Sequence, residues 1–316
     1  MGEIEKLERR VPVNSANYEK FPYIRSPLYG EIPAPRNLAM LLRYLESVRA
    51  RRLRLEGWRG QANIGWKLDS TAARRLHLHV DDLLNVLDEL PDGTSEYGQS
   101  FEKQVRNYEA RLLNQARMSG HGFHGGRELT DLELLSVLRH YGAATRLMDF
   151  SRNVIVALWF ACTDKDNRDE YGLLVGIEGN VARRIQTEAD LKTPVPELID
   201  VLAPDEQYWL WEPRHLFQRM RVQQSLFVFG PAIQWPWGSA PFGLYSTGEG
   251  QYKEAGNPML IAISPSLKAD MEDPEMKDYA WRDLFGYDAR TLFPDIEGFS
   301  RYHSEPQGFE SSFFIV

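Results

Sequence analysis

Three side chains that can carry charge lie close together, immediately before the most apolar stretch of the chain. His140, Arg146 and Asp149 precede residues 154–162, which read Val-Ile-Val-Ala-Leu-Trp-Phe-Ala-Cys. Such a run predicts a buried helix, which anchors the preceding polar groups at the edge of a packed wall. Polar groups that converge at such an edge are typical of a ligand pocket. The sequence therefore predicts a binding site around residues 140–151.

Two further polar segments are expected to contribute donors to the same kind of site. Residues 58–61 read Trp-Arg-Gly-Gln, in which Arg59 offers a planar fork of donors and Gly60 permits close approach to the backbone. Gln223 and Gln224 come just before a strand-like apolar run. Arginine, serine and amide side chains together suit a polyphosphate or an amide-bearing ligand.

Structural roles also explain several of these residues. Arg146 and Asp149 lie three positions apart and are compatible with a buried ion pair at the start of the helix. His140 suits the C-terminal end of a helix, where a cation is favoured. If both glutamines belong to a strand, only one faces the pocket, because strand side chains alternate. Arg59 is the hardest to explain as structure, because an arginine beside a glycine turn needs several acceptors.

The overall composition is that of a globular protein, with 43% hydrophobic and 26% charged residues among 316. The formal net charge of −8 argues against broad neutralisation of nucleic-acid phosphates, although the arginines at 49–54 favour a local anion or RNA contact. The single cysteine, Cys162, excludes an internal disulfide and favours a reducing cytoplasm. Two histidines within residues 121–126 lack a nearby cysteine, so we expect no metal site.

The N-terminal residues lack the apolar stretch of a signal peptide, and the longest apolar run is too short to span a bilayer. These features predict a cytoplasmic protein without a membrane partner.

The elements that must position the polar residues are predicted to be short strands among many helices, an α+β arrangement without regular βα alternation. Prolines interrupt residues 1–36, which predicts an N-terminal arm that docks through its aromatic side chains. Spacing of apolar residues predicts helices over 38–48, 80–87, 101–118 and 153–163, and a capping box at 130–133 begins another that Gly142 ends. Strand-like runs lie at 55–61, 172–177, 226–229 and 259–263. Residues 121–126 and 232–242 are predicted to be loops, the second a candidate lid.

These segments resemble the FRG domain family, which is named for a Phe-Arg-Gly motif. Residues 58–61 resemble the opening motif of the family, with Trp58 where the family has Phe or Tyr. The stretches 140–149 and 157–161 resemble its central signature, 219–227 its third block and 292–298 its closing block. The resemblance spans roughly 38–302, so we expect an FRG domain over 37–303, followed by a C-terminal tail over 304–316.

A second resemblance, to ADP-ribosyltransferases, suggests a chemistry. These enzymes place an aromatic-Arg-Gly motif on the first core strand, and some carry a serine-containing strand that leads into a helix. A glutamate precedes a later strand. Here residues 58–60, 148–151 and 223–227 occur in that order, with Gln224 or Gln223 in place of the glutamate. The resemblance implies an ADP-ribosyltransferase-like core of short strands surrounded by several helices.

This resemblance also implies residue roles, with NAD as co-substrate. The implied catalytic residues are Arg59, Asp149, Ser151 and Gln224. The implied cofactor-binding residues are Trp58, Arg59, Gly60, Gln61, His140, Tyr141, Thr145, Arg146 and Gln223. Because a glutamine supplies no negative charge, Asp149 is expected to stand in for the missing carboxylate, provided that Arg146 does not neutralise it.

Three functions follow as hypotheses. The first is an FRG-domain, NAD-dependent ADP-ribosyltransferase-like toxin or antiviral defence effector, which implies a protein or RNA target and an antitoxin or defence-complex partner. The second is a non-catalytic module that senses a nucleotide or a protein. The third is an RNA-directed enzyme or binder, which draws only on the arginines at 49–54.

Overall fold

The computed structural model describes residues 4–12, 18–50, 54–76, 94–203, 206–213, 217–241, 258–273, 275 and 277–304. In chain order the strands are β1 (Glu5–Pro12), β2 (Tyr18–Ser26), β3 (Gly30–Pro33), β4 (Leu55–Gln61), β5 (Phe123–His124), β6 (Arg127–Glu128), β7 (Met148–Ser151), β8 (Gly172–Glu178), β9 (Ala182–Arg184), β10 (Tyr208–Trp211), β11 (Ser225–Phe229) and β12 (Met259–Ile263). The helices are α1 (Leu38–Ala50), α2 (Thr94–Met118), α3 (Asp131–His140), α4 (Val154–Cys162), α5 (Glu188–Lys192), α6 (Val195–Asp200), α7 (Gln218–Val222), α8 (Pro265–Glu272), α9 (Ala289–Leu292) and α10 (Ile296–Ser304). A 3-10 turn (Lys165–Asn167) and a π-helical segment (Lys277–Leu284) complete the described elements.

A seven-stranded sheet in the order β12-β8-β4-β7-β11-β10-β9 forms the centre of the molecule. Neighbouring strands are antiparallel, except that β9 and β10 run parallel. Strands and helices are mixed along the chain, which confirms the predicted α+β class.

The pairing between β4 and β7 is the shortest in this sheet. β4 pairs with β8 from Leu55 to Gln61, whereas it pairs with β7 only where Trp58 meets Ser151. Beyond that pair the two strands no longer form a backbone ladder, and the Arg59 side chain reaches the backbone carbonyl of Asp149. The sheet therefore opens between its two central strands.

Helix α4 packs against β4 and β8 at very short range. Asn153 caps its start, where its side chain accepts a hydrogen bond from the backbone N–H of Ile155. A Cβ atom added at Gly60 would lie 1.8 Å from the carbonyl oxygen of Ala157. Gly60 is therefore needed for helix packing, and not only, as the sequence suggested, for ligand approach.

The N-terminal residues form a three-stranded antiparallel sheet, β1-β2-β3, where we had expected prolines to prevent regular structure. That expectation was wrong. Pro12 and Pro33 stand at strand ends, where a missing N–H does not break a ladder, and β2 continues through Pro22, which is paired in register with Glu8 of β1. The predicted docking is confirmed, since Phe21 and Tyr29 are buried and the Tyr29 hydroxyl donates to the Trp66 carbonyl oxygen.

Most elements near the polar segments agree with their predictions. Helices α1 to α4 and strands β4, β8, β11 and β12 are confirmed, and Thr130 forms the predicted capping box at the start of α3. Residues 121–126 were wrongly predicted as a loop only, because β5 lies there and pairs with β6. The predicted helix at 80–87 lies outside the described residues, as do Arg51 and Arg52 of the arginine cluster at 49–54. Within the described ranges, no helix combines the length and hydropathy needed to cross a bilayer.

The contact between α4 and β4 predicts a steep cost for the smallest enlargement of Gly60. In Gly60→Ala the new methyl group meets the Ala157 carbonyl, which should lower the free energy of unfolding by about 3 kcal/mol. Gly122→Ala is the matched control, because its nearest neighbour is the flexible side chain of Arg117 at 3.2 Å. Urea denaturation checks both variants, and equal stability of the two would contradict this packing.

Candidate functional site

A cavity of about 450 Å³ lies where the sheet opens between β4 and β7. We call it the β4–β7 cavity, and its walls come from β4, β7, β11, α3, α4, α7 and α10. Among the residues predicted as a site, those that line it are Trp58, Arg59, Gly60, His140, Tyr141, Asp149, Ser151 and Gln223. Three segments far apart in the chain therefore converge on one space.

Arg59 lies where β4 and β7 separate. Its Nη1 donates a 2.9 Å hydrogen bond to the backbone carbonyl oxygen of Asp149, while its Nε–H has no acceptor among the described residues. Surrounding protein lowers the pKa of Arg59 to about 10, chiefly because burial penalises the charged form. The guanidinium is thus a cation in the cavity that retains an unused donor.

Asp149 is committed to an ion pair with Arg139, a residue that the sequence analysis did not select. Its Oδ2 accepts from Arg139 Nε at 3.1 Å and from Nη2 at 2.6 Å. The expected pairing of Asp149 with Arg146 was therefore wrong. A fork of two donors on one carboxylate oxygen fixes the Arg139 side chain at the cavity wall.

The corner formed by Ser151 and the paired glutamines is held by internal hydrogen bonds. The Ser151 hydroxyl donates to the Gln223 carbonyl oxygen at 2.7 Å and accepts from the Asn153 N–H at 3.0 Å. Gln223 Nε2 donates to the Leu292 carbonyl oxygen at 3.0 Å. The side chains of Ser151 and Gln223 therefore hold together the segments that form this part of the cavity wall.

Neither glutamine belongs to the strand that follows. Gln223 ends α7, and Gln224 adopts a left-handed backbone conformation, with φ of 48°. Gln224 does not line the cavity, and its carbonyl oxygen accepts from the Arg152 N–H at 3.0 Å. The sequence analysis placed the pair just before a strand, which is confirmed, but it did not predict the left-handed conformation of Gln224.

An aromatic and charged wall flanks the cavity at the C-terminal end of α3. The His140 ring stacks on Phe217 with centroids 4.6 Å apart, and its Nε2 lies 3.6 Å from Asp295 Oδ2. Arg219 Nη1 lies at the same distance from that oxygen, and its guanidinium covers the Phe293 ring. Burial lowers the pKa of His140, which favours the neutral imidazole.

Besides Gln224, three predicted site residues lie outside the cavity lining. Arg146 is buried, with Nε 2.5 Å from Glu109 and Nη1 donating to Glu102 and to the Gly230 carbonyl oxygen. Thr145 is fully buried, and Gln61 donates to the Trp66 carbonyl oxygen. Arg146 therefore contacts α2, and Gln61 contacts the loop that follows β4.

The structure also bears on the predictions for the loop at 232–242 and for Cys162. The loop at 232–242 is not a lid over the cavity, because in its described part Ser239 and Ala240 both donate to the Leu68 carbonyl oxygen. Cys162 is buried, and this burial raises the pKa of its thiol, as expected of an inert core cysteine. No group of three metal-ligating side chains occurs among the residues that the structure describes.

Several residues that line the cavity were not selected as individual site residues from the sequence, although Arg219 and Ser225 belong to the third polar segment. They are Arg139, Phe160, Arg219, Ser225 and Glu297. Arg139 and Phe160 stand directly beside segments that were selected, and Arg219 begins the third block of the resemblance. Nothing in the sequence indicated that Glu297 faces a cavity, because the pattern of residues 292–298 is typical of a packed turn.

A family model for the FRG domain matches residues 56–170 of this chain. The match includes β4, α3, β7 and α4, and with them Arg59, Arg139, His140 and Asp149. Neither a curated protein nor a solved structure was found to match. An FRG domain is therefore indicated for this part of the chain, and Gln223 and Glu297 complete the cavity from outside it.

The two arginine environments predict opposite outcomes for the same substitution. Arg146→Met leaves Glu109 and Glu102 without their buried cation and should lower the free energy of unfolding by about 3–5 kcal/mol. Arg139→Met breaks a pair that is partly exposed and should lower it by less than about 1 kcal/mol. Urea denaturation of both variants measures the difference, and a larger loss for Arg139→Met would contradict these assignments.

Proposed function

We propose that this protein is an ADP-ribosyltransferase-like enzyme that binds NAD in the β4–β7 cavity and cleaves the bond to nicotinamide. The observation that carries the proposal is the convergence of Arg59, the Asp149–Ser151 corner and Gln223 on one cavity. These are the three segments that the resemblance to ADP-ribosyltransferases implies. They lie on β4, on β7 and directly before β11, three strands that are neighbours in the sheet.

The cavity has the size and charge that a nucleotide diphosphate needs. Its volume of about 450 Å³ lies within the usual range for small-molecule sites. Arg59, Arg139 and Arg219 line it from three different elements and offer guanidinium groups to phosphate oxygens. The Arg59 guanidinium is not saturated by protein partners, because its buried Nε–H has no acceptor among the described residues.

Aromatic walls supply the second requirement, a surface for a flat ring. Tyr141 is 68% exposed and packs edge-on against Phe217, while Phe160 lies edge-on to Phe293. Tyr141 and Phe160 both line the cavity, so a nicotinamide or adenine ring can pack beside them. The backbone of Gly60 lies in the same space and offers polar groups to an amide.

The role proposed for this chain is that of a toxin or antiviral defence effector working in the cytoplasm. Its acceptor would be a protein or an RNA, and an antitoxin or defence-complex partner would restrain it. These assignments rest on the resemblance to the FRG domain family and on the proposed chemistry.

A non-catalytic nucleotide-sensing module is the second candidate. The observation that favours it is the ion pair between Asp149 and Arg139, together with glutamines where the transferase pattern has a glutamate. A site of this kind would bind NAD and release no nicotinamide.

Arg59 is the residue whose substitution tests NAD binding most directly. Arg59→Gln removes a charged donor and should weaken NAD binding roughly 10- to 100-fold in calorimetry, with nicotinamide release falling as well. Arg59→Lys should retain part of the affinity, and Arg111→Gln, an exposed position on α2, should retain all of it.

The same titration separates the candidates. Wild-type protein that binds NAD and releases no nicotinamide is the sensing module. If the protein gives no heat of binding with NAD, although its circular dichroism shows a folded chain, both the enzyme and the NAD-sensing module are contradicted.

A further inference from the structure

The proposed cleavage needs a negative charge that neither glutamine supplies. Separation of nicotinamide from the ribose builds positive charge on the sugar, and a nearby carboxylate stabilises it. Two carboxylate residues, Asp149 and Glu297, line the described part of the cavity. Asp149 already holds Arg139 through two donors, so its carboxylate serves to position that arginine.

Glu297 lies in the first turn of α10, and the turn before it is tightly built. The Asp295 side chain accepts from the Gly298 N–H at 2.8 Å, and the Asp295 carbonyl oxygen accepts from the Phe299 N–H at 2.9 Å. A Cβ atom added at Gly298 would lie 2.2 Å from the Phe293 carbonyl oxygen. The backbone that carries Glu297 therefore has a defined position.

This turn is also attached to the cavity wall at separate points. Gln223 donates to the Leu292 carbonyl oxygen, and Asp295 lies between His140 and Arg219. Burial and the charge of Arg219 lower the pKa of His140. The negative charges of Asp295 and Glu297 act in the opposite direction, without reversing that shift. Glu297 is thus an exposed carboxylate that faces the cavity from a segment fixed to Gln223.

We propose that Glu297 is the catalytic carboxylate of the β4–β7 cavity, acting from the first turn of α10 and not from the segment before β11. The inference rests on the proposed NAD cleavage. The bond between ribose C1′ and the nicotinamide nitrogen breaks, and its electron pair stays on the departing neutral nicotinamide. The oxygen or nitrogen of the acceptor, or of water, bonds to C1′. Glu297 stabilises the positive ribose and takes the proton that the acceptor loses.

The experiment compares Glu297→Gln with Glu297→Asp and with Glu188→Gln in the full-length chain. Glu188 is an exposed carboxylate on α5 that pairs with Lys192 and does not line the cavity, so it is the matched control. NAD binding is measured by calorimetry and nicotinamide release by chromatography. Glu297→Gln should reduce kcat about 100-fold and change the dissociation constant for NAD less than threefold. Glu297→Asp should restore part of kcat, and Glu188→Gln should match the wild type.

The outcomes separate this inference from the function on which it rests. If the wild type releases nicotinamide and Glu297→Gln retains its kcat, the inference is overturned while the proposed function stands. If Glu297→Gln loses NAD binding and kcat in proportion, Glu297 is a binding residue and the inference is again overturned. If the wild type binds NAD without releasing nicotinamide, the proposed enzyme itself is overturned, and the inference with it.

Discussion

The hydrogen bond from Arg59 to the Asp149 carbonyl is the interaction on which the cavity depends. The two central strands share one backbone pair, between Trp58 and Ser151, and the guanidinium bridges them where that pairing stops. A longer ladder between β4 and β7 would close the sheet and leave no space between them. The side chain that joins the strands also lines the cavity, and its Nε–H has no acceptor among the described residues.

Close packing behind the sheet keeps this opening in one shape. Helix α4 approaches β4 so closely that Gly60 has no room for a methyl group, and Gly172 on β8 meets the Ala161 carbonyl in the same way. Closely packed protein interiors have low compressibility. The cavity wall formed by β4 and α4 is therefore closely packed. Glu297 on α10 follows a turn that begins after Leu292, the residue whose carbonyl oxygen accepts from Gln223.

The elements nearest the chemistry were predictable because local patterns determine them. The capping box at Thr130, the apolar run of α4 and the short strand β4 each carry a signal within a few residues. Pairings between distant segments carry no such signal. The partner of Asp149 proved to be Arg139 and not Arg146, and the latter pairs with glutamates on α2. Glu297 reaches the cavity through a turn whose position only the complete fold defines.

A crystal structure of the full chain with NAD tests the central claim most directly. The account predicts ligand density inside the β4–β7 cavity, with a phosphate or ribose oxygen within hydrogen-bond distance of the Arg59 guanidinium and a ring beside Tyr141 or Phe160. Density for NAD at another surface, or a cavity that stays empty at a saturating concentration of NAD, would contradict it.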